Sequence, residues 1–255
     1  MSQSWFIVSG KGGVGKSMVC ACLGQALARS QMSCCLVDTD IGLRSLDMLL
    51  GMENKVVYDV LDVARKDCKL KYALIGHSSN LSLLPAAQLG DLNDIRPADI
   101  ERIVRKLKKR VAYVLMDAPA GVGRGIQNML PAVDESILVV TPDDIAIRDA
   151  ERVVALLEEA GKPRPMLIVN RVDPQMVARG EMYHPQTVAA TLDVPLLGFV
   201  PEDRHVTVAL NARQNLMTVP CPAQEAMNRI AQRFLGNYVA MPSFPKKRLW
   251  PFGRK

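Results

Sequence analysis

The stretch Gly10-Lys11-Gly12-Gly13-Val14-Gly15-Lys16-Ser17 constrains this 255-residue chain more than any other. It follows the apolar run Trp5-Phe6-Ile7-Val8 and precedes a segment in which Val19, Leu23, Ala26 and Leu27 share one helical face. That order reads as strand, loop, helix. Glycines in such a loop let successive backbone N–H groups close around an anion with no Cβ in the way, and the helix start adds the positive end of its dipole. The spacing G-x-x-x-x-G-K-[ST] is that of a phosphate-binding loop, in which Lys16 reaches the β- and γ-phosphates of a nucleotide and the Ser17 hydroxyl ligates Mg²⁺. The expected fold is α/β: a single-domain, doubly wound, mostly parallel sheet flanked by helices, with ligands at the C-terminal ends of the strands.

Two further apolar strands end in acids on that face. Cys34-Cys35-Leu36-Val37 runs into Asp38-Thr39-Asp40, and Ala112-Tyr113-Val114-Leu115-Met116 runs into Asp117. The second has the form of a Walker B strand, whose Asp117 would hold the water shell of Mg²⁺. Asp38 and Asp40 can equally cap the turn that follows them. Strands are also expected at Leu81–Leu84, stopped by Pro85, and at Ser136–Val140, Met166–Asn170 and Leu196–Val200. Helices are expected at Pro97–Lys108, at about Ile145–Ala160, at Pro222–Leu235 and, with solvated charges, within Val56–Val63. Asn170 offers a donor and an acceptor to a purine edge and Arg171 can stack on its face, although an asparagine cap at a strand end fits these residues as well.

Lys11 is not required for cradling phosphate, because Lys16 already supplies the point charge, and as a loop residue it also reads as a solvated surface charge. With it the loop resembles the deviant Walker A pattern K-G-G-x-G-K-[ST]. The runs Asp40-Ile41-Gly42-Leu43-Arg44-Ser45-Leu46-Asp47, Asp117-Ala118-Pro119-Ala120-Gly121, Arg179-Gly180-Glu181-Met182 and Pro201-Glu202-Asp203 are similar to those of the MinD branch of that family. The resemblance spans nearly the whole chain. It implies an Mg²⁺-dependent ATPase that forms a sandwich dimer on ATP, with Lys11 contacting the partner copy's nucleotide. It further implies that Asp40 positions or activates the attacking water, that Asp38 lies near the Mg²⁺ shell with Ser17 and Asp117, and that Asn170, Arg171 and the backbone of Pro201, Glu202 and Asp203 border the adenine. A MinC-type division inhibitor and, where present, a MinE-type stimulator are the implied partners, with Arg148 and Asp149 matching a partner-binding stretch. The family usually carries Thr or Ser after the Mg²⁺ ligand to bond the α-phosphate; here the residue is Met18, whose thioether cannot donate that bond.

The formal net charge of +6 belongs to the C-terminus, where Lys246, Lys247, Arg248, Arg254 and Lys255 carry five charges and leave +1 for the rest. Residues 1–240 are therefore read as the ATPase domain and 241–255 as a tail that interleaves cations with Phe244, Leu249, Trp250 and Phe252. The tail resembles the family's lipid-binding end, except that Pro245 and Pro251 restrict a regular helix. Five cations at an anionic leaflet contribute up to about 5 kcal/mol, and a dimer presenting two tails gains roughly 10²–10⁴ in avidity. Residues 244–255 are thus expected to meet an anionic membrane, placing the protein in the cytoplasm and on the inner face of the cell membrane. Rival readings are a flagellar-number regulator and a ParA-like DNA-partitioning ATPase; nucleic acid is not the expected partner. The six cysteines have no zinc spacing and read as reduced core residues; His77, His184 and His205 have no triad or metal partners at recognisable spacing and read as surface or loop residues.

Overall fold

A computed structural model describes residues 2–90, 95–119 and 121–244, with residue 124 in backbone only. The strands are β1 (Gln3–Val8), β2 (Cys34–Asp38), β3 (Ile75–Ser78), β4 (Leu81–Leu84), β5 (Tyr113–Asp117), β6 (Glu135–Val140), β7 (Met166–Val172) and β8 (Leu196–Pro201). They form one sheet in the order β3-β4-β2-β5-β1-β6-β7-β8. Every pairing is parallel except β3 with β4, a short antiparallel edge. The helices are α1 (Lys16–Arg29), α2 (Ser45–Leu49), α3 (Val60–Arg65), α4 (Leu70–Ala73), α5 (Pro97–Lys108), α6 (Arg124–Met129), α7 (Asp144–Glu159), α8 (Pro174–Arg179), α9 (Pro185–Leu192), α10 (Arg204–Asn211) and α11 (Pro222–Phe234).

Strands buried on both faces need two cores, and the period-two alternation of strand side chains supplies them. Phe6, Val8, Cys35 and Val37 face the layer built from α3, α5, α7 and α9, while Trp5, Ile7, Cys34 and Leu36 face α1, α2, α10 and α11. The adjacent cysteines thus enter opposite cores, and all six are free. Burial pushes the Cys22 thiol up to about 12, so it stays protonated and inert. On α5, Ile100, Ile103, Val104 and Leu107 form the buried face, each contributing roughly 1.5–3 kcal/mol. α1 is buried nearly all round because it lies between the sheet and α11. It approaches β2 so closely that a Cβ on Gly24 would fall 2.6 Å from Leu36 Cδ2.

Several sequence expectations change. The segment Val56–Val63 becomes helical only at Val60, where Asp59 and Asp62 form a reciprocal capping box; these two charges are caps, not solvated bystanders. Lys108, at the end of α5, pairs with Asp134 at 2.6 Å. His184 caps α9 by accepting the Gln186 N–H, and His205 pairs with Asp203; both are local structural contacts. Phe244 is half-buried, stacked on Phe199 at 4.9 Å and edge-on to His184 at 4.6 Å. A ring held there is packed within the chain itself. Residues 245–255, and Ala120 of the Asp117–Gly121 run, lie outside the described residues. Among the described residues no helix is long and apolar enough to cross a membrane.

Candidate nucleotide site

β1 is the point from which the sheet grows both ways: β2, β4 and β5 lie on one side of it and β6, β7 and β8 on the other. Loops leaving neighbouring strands diverge there and open a crevice at the carboxyl ends. The loop after β1 fills its floor. Gly13 and Gly15 adopt φ of +80° and +91°, left-handed conformations that a side chain disfavours. A Cβ on Gly10 would lie 2.2 Å from the Asp149 carbonyl oxygen, so the loop rests directly on the α7 backbone. Lys11, Gly12 and Gly13 are exposed, whereas Val14 and Lys16 are buried.

Three of the predicted site residues meet around the lysine. Lys16 Nζ donates to Asp117 Oδ1 at 2.6 Å and lies 4.0 Å from Asp40 Oδ2. Burial pushes the Asp117 carboxyl up; Lys16 and Ser17 pull it back. Among the described residues, its second oxygen, Oδ2, is buried without a partner. An orphaned carboxylate oxygen beside Ser17, next to an anion-cradling loop, is a donor set that fits Mg²⁺, which takes few protein oxygens and completes its shell with phosphate and water. Asp38 is fully buried, and its two oxygens accept the N–H groups of Asp40 and Leu46, each at 3.0 Å. Its carboxyl is pushed up to about 7 by burial and then by Asp117. It therefore shapes the turn carrying Asp40. Asp40 sits at the mouth, its carboxyl raised by burial and moderated by Lys16. Thr39, which the sequence reading passed over, is fully buried and donates its hydroxyl to the Asp117 carbonyl at 2.7 Å, tying the β2 and β5 exits together.

Beyond the loop lies an open cleft of about 530 Å³ whose walls include Gly15, Met18, Asn170, Arg171 and Pro201–Asp203. Asn170 is buried and donates Nδ2–H to the Val14 carbonyl at 2.7 Å. Gly15 must be glycine here, since its Cβ would fall 2.3 Å from that nitrogen. The amide is thereby oriented: one of its two Nδ2 protons is bound to the phosphate loop. Met18 lines the same cleft, with Cys22 donating to its sulfur at 3.7 Å. Val206, Thr207 and Leu210 of α10, a short helix with no strong signal in the sequence, also line the cleft.

A family model described as ParA, NUBPL iron-transfer P-loop NTPase, matches residues 1–235. The septum site-determining protein MinD of Helicobacter pylori is 39% identical over 251 residues, covering 95% of this chain and 94% of its own. The chain belongs to the MinD/ParA family. Among solved structures, the MinC:MinD cell division protein complex of Aquifex aeolicus matches with a TM-score of 0.86 and 34% identity, over 95% of this chain and 99% of that one. MinD from Pyrococcus horikoshii, complexed with Mg-ADP, matches with a TM-score of 0.81 and 27% identity, over 92% and 96%. As a MinD/ParA protein the chain is a P-loop NTPase of the deviant Walker A type, and nucleotide and Mg²⁺ are the ligands its family implies.

Proposed function

We propose that the chain hydrolyses ATP and uses it to close two copies face to face, and that the closed pair sits on the inner surface of the cell membrane and regulates placement of the division septum. The observation that carries this reading is the contrast between two lysines on one loop. Lys16 is buried and committed to Asp117 within its own chain. Lys11 stands exposed on the nucleotide face, so its charge is available to a phosphate held by a second copy.

The chain's own residues divide the chemistry. The loop N–H groups and Lys16 hold the β- and γ-phosphates, for which Lys16 must exchange its bond to Asp117. Ser17 and Asp117 hold Mg²⁺, which neutralises charge building on the phosphate oxygens when bound. Asp40, at the mouth and 4.0 Å from Lys16, orients the attacking water. Asn170 Oδ1 accepts from the exocyclic amino group of adenine, with Arg171 and the backbone of Pro201, Glu202 and Asp203 around the ring.

The named complex among the structural neighbours supports a MinC-type division inhibitor as a partner; in this reading it docks on α7 at the exposed Arg148 and the half-buried Asp149 beside it. A MinE-type stimulator would accelerate hydrolysis and release the pair. Residues 245–255 supply the lipid contact. Co-sedimentation with anionic vesicles tests the reading: wild type should pellet with Mg²⁺-ATP and not with ADP, and Lys11→Ala and Lys16→Ala should stay in solution with either nucleotide. Pelleting with DNA and not with vesicles would favour a partitioning ATPase instead.

A further inference from the structure

The family resemblance brings Asp203 to the base through its backbone; its side chain points elsewhere. The carboxyl is only 5% exposed. Oδ1 accepts the His205 backbone N–H at 3.0 Å and meets His205 Nδ1 at 2.7 Å, while Oδ2 accepts the Ala223 N–H at 3.0 Å. Burial works against its charge, yet these bonds and one from Cys221 hold the carboxyl below its ordinary range.

The three elements joined here have different roles. The loop Pro201–Asp203 is one wall of the base cleft, and its Glu202 N–H is fixed to the Val172 carbonyl at 2.9 Å. The His205 bond caps α10, whose Val206, Thr207 and Leu210 also line the cleft. The Ala223 bond reaches the first turn of α11, a helix packed on β8 and α1. One carboxylate therefore fastens both cleft-lining segments to a third, rigidly packed helix. Two short segments flanking a cleft have no register of their own, and a shared buried anchor supplies it.

We propose that the Asp203 carboxylate is a positioning group for the nucleotide base: it fixes the Pro201–Asp203 loop and α10 relative to α11 through His205 and Ala223, while only the backbone of Asp203 borders the ligand. This rests on the ATP reading above. Its consequence is selective, because the phosphate loop is held by separate contacts to α7 and Asn170. Loss of the anchor should weaken recognition of the base and spare recognition of the phosphates.

Calorimetric titration of the full chain with Mg²⁺-ATP and with Mg²⁺-tripolyphosphate, which has no base, separates the two. Asp203→Asn keeps the shape but turns an amide N–H₂ towards a backbone N–H that needs an acceptor. ATP should bind about tenfold more weakly and tripolyphosphate within about twofold of wild type. His205→Ala leaves both backbone bonds and removes only the ring contact; it should weaken ATP by about twofold to threefold, again with tripolyphosphate unchanged. Equal losses for both ligands would reduce Asp203 to a general stabiliser and overturn the inference, as would unchanged ATP binding in Asp203→Asn. Should that variant fail to fold, His205→Ala decides by the same two titrations, and unchanged ATP binding overturns the inference. A wild type that binds tripolyphosphate but not ATP would instead contradict the nucleotide reading itself.

Discussion

A single buried ion pair sets the electrostatics of the site. Lys16 and Asp117 are both shielded from water, so removing the lysine leaves a carboxylate without its counter-charge. Lys16→Met is expected to destabilise the nucleotide-free chain by about 3–5 kcal/mol at pH 8. The loss should shrink at pH 5, because burial already raises the Asp117 carboxyl and without Lys16 it takes a proton. Urea unfolding at the two pH values checks both signs. Asp38 adds a pH dependence of the same direction. Its folded carboxyl, at about 7, lies above its unfolded value, so the native state binds the extra proton and this group's contribution to stability declines as pH rises towards 7. Met18→Thr restores a hydroxyl donor at the cleft and is expected to tighten ATP binding, with equal affinity and equal turnover contradicting that expectation. The phosphate loop and the strand-end acids were legible from residue type and spacing alone. The orientation of the Asn170 amide was not, because it depends on the Val14 carbonyl 156 positions away. Thr39 was missed for the same reason: its hydroxyl acts on a strand distant in sequence.

Among the elements, long periodic helices and buried strands were readable, and short ones were not. α5 and α7 announce themselves by apolar spacing over three or more turns, and Pro97 and Asp143 mark their starts. α8, α9 and α10 span six to eight residues, too few for periodicity to stand out, and they rely on caps from Asp173, His184 and Asp203. β3 is half-exposed and antiparallel, so it lacks the continuous apolar run of the inner strands. Caps of this kind are local, and their loss should be local too. Asp59→Ala, which breaks the capping box of α3, is expected to cost about 1 kcal/mol of stability, visible as a lowered melting temperature, with ATP affinity unchanged. A changed affinity would mean that α3 communicates with the site by a route absent from the contacts seen here.

At the scale of the whole molecule, one sheet with a core on each face holds the phosphate loop, the acids and the base cleft at its carboxyl edge, and that arrangement followed from strand order and burial patterning. Assembly is a different matter. In the proposed pair Lys11 faces the second copy; Leu43 and Leu89 are 71% and 88% exposed in the single chain, as expected of side chains that such a pairing would cover. Phe244, folded back on Phe199, shows how a chain end can look free in sequence and yet be anchored. The most direct test of the face-to-face pair is sedimentation velocity with Mg²⁺ and a non-hydrolysable ATP analogue. Wild type should sediment as a dimer, and Lys11→Ala as a monomer at the same saturation with nucleotide. A wild type that stays monomeric, or a Lys11→Ala variant that dimerises equally well, would contradict it.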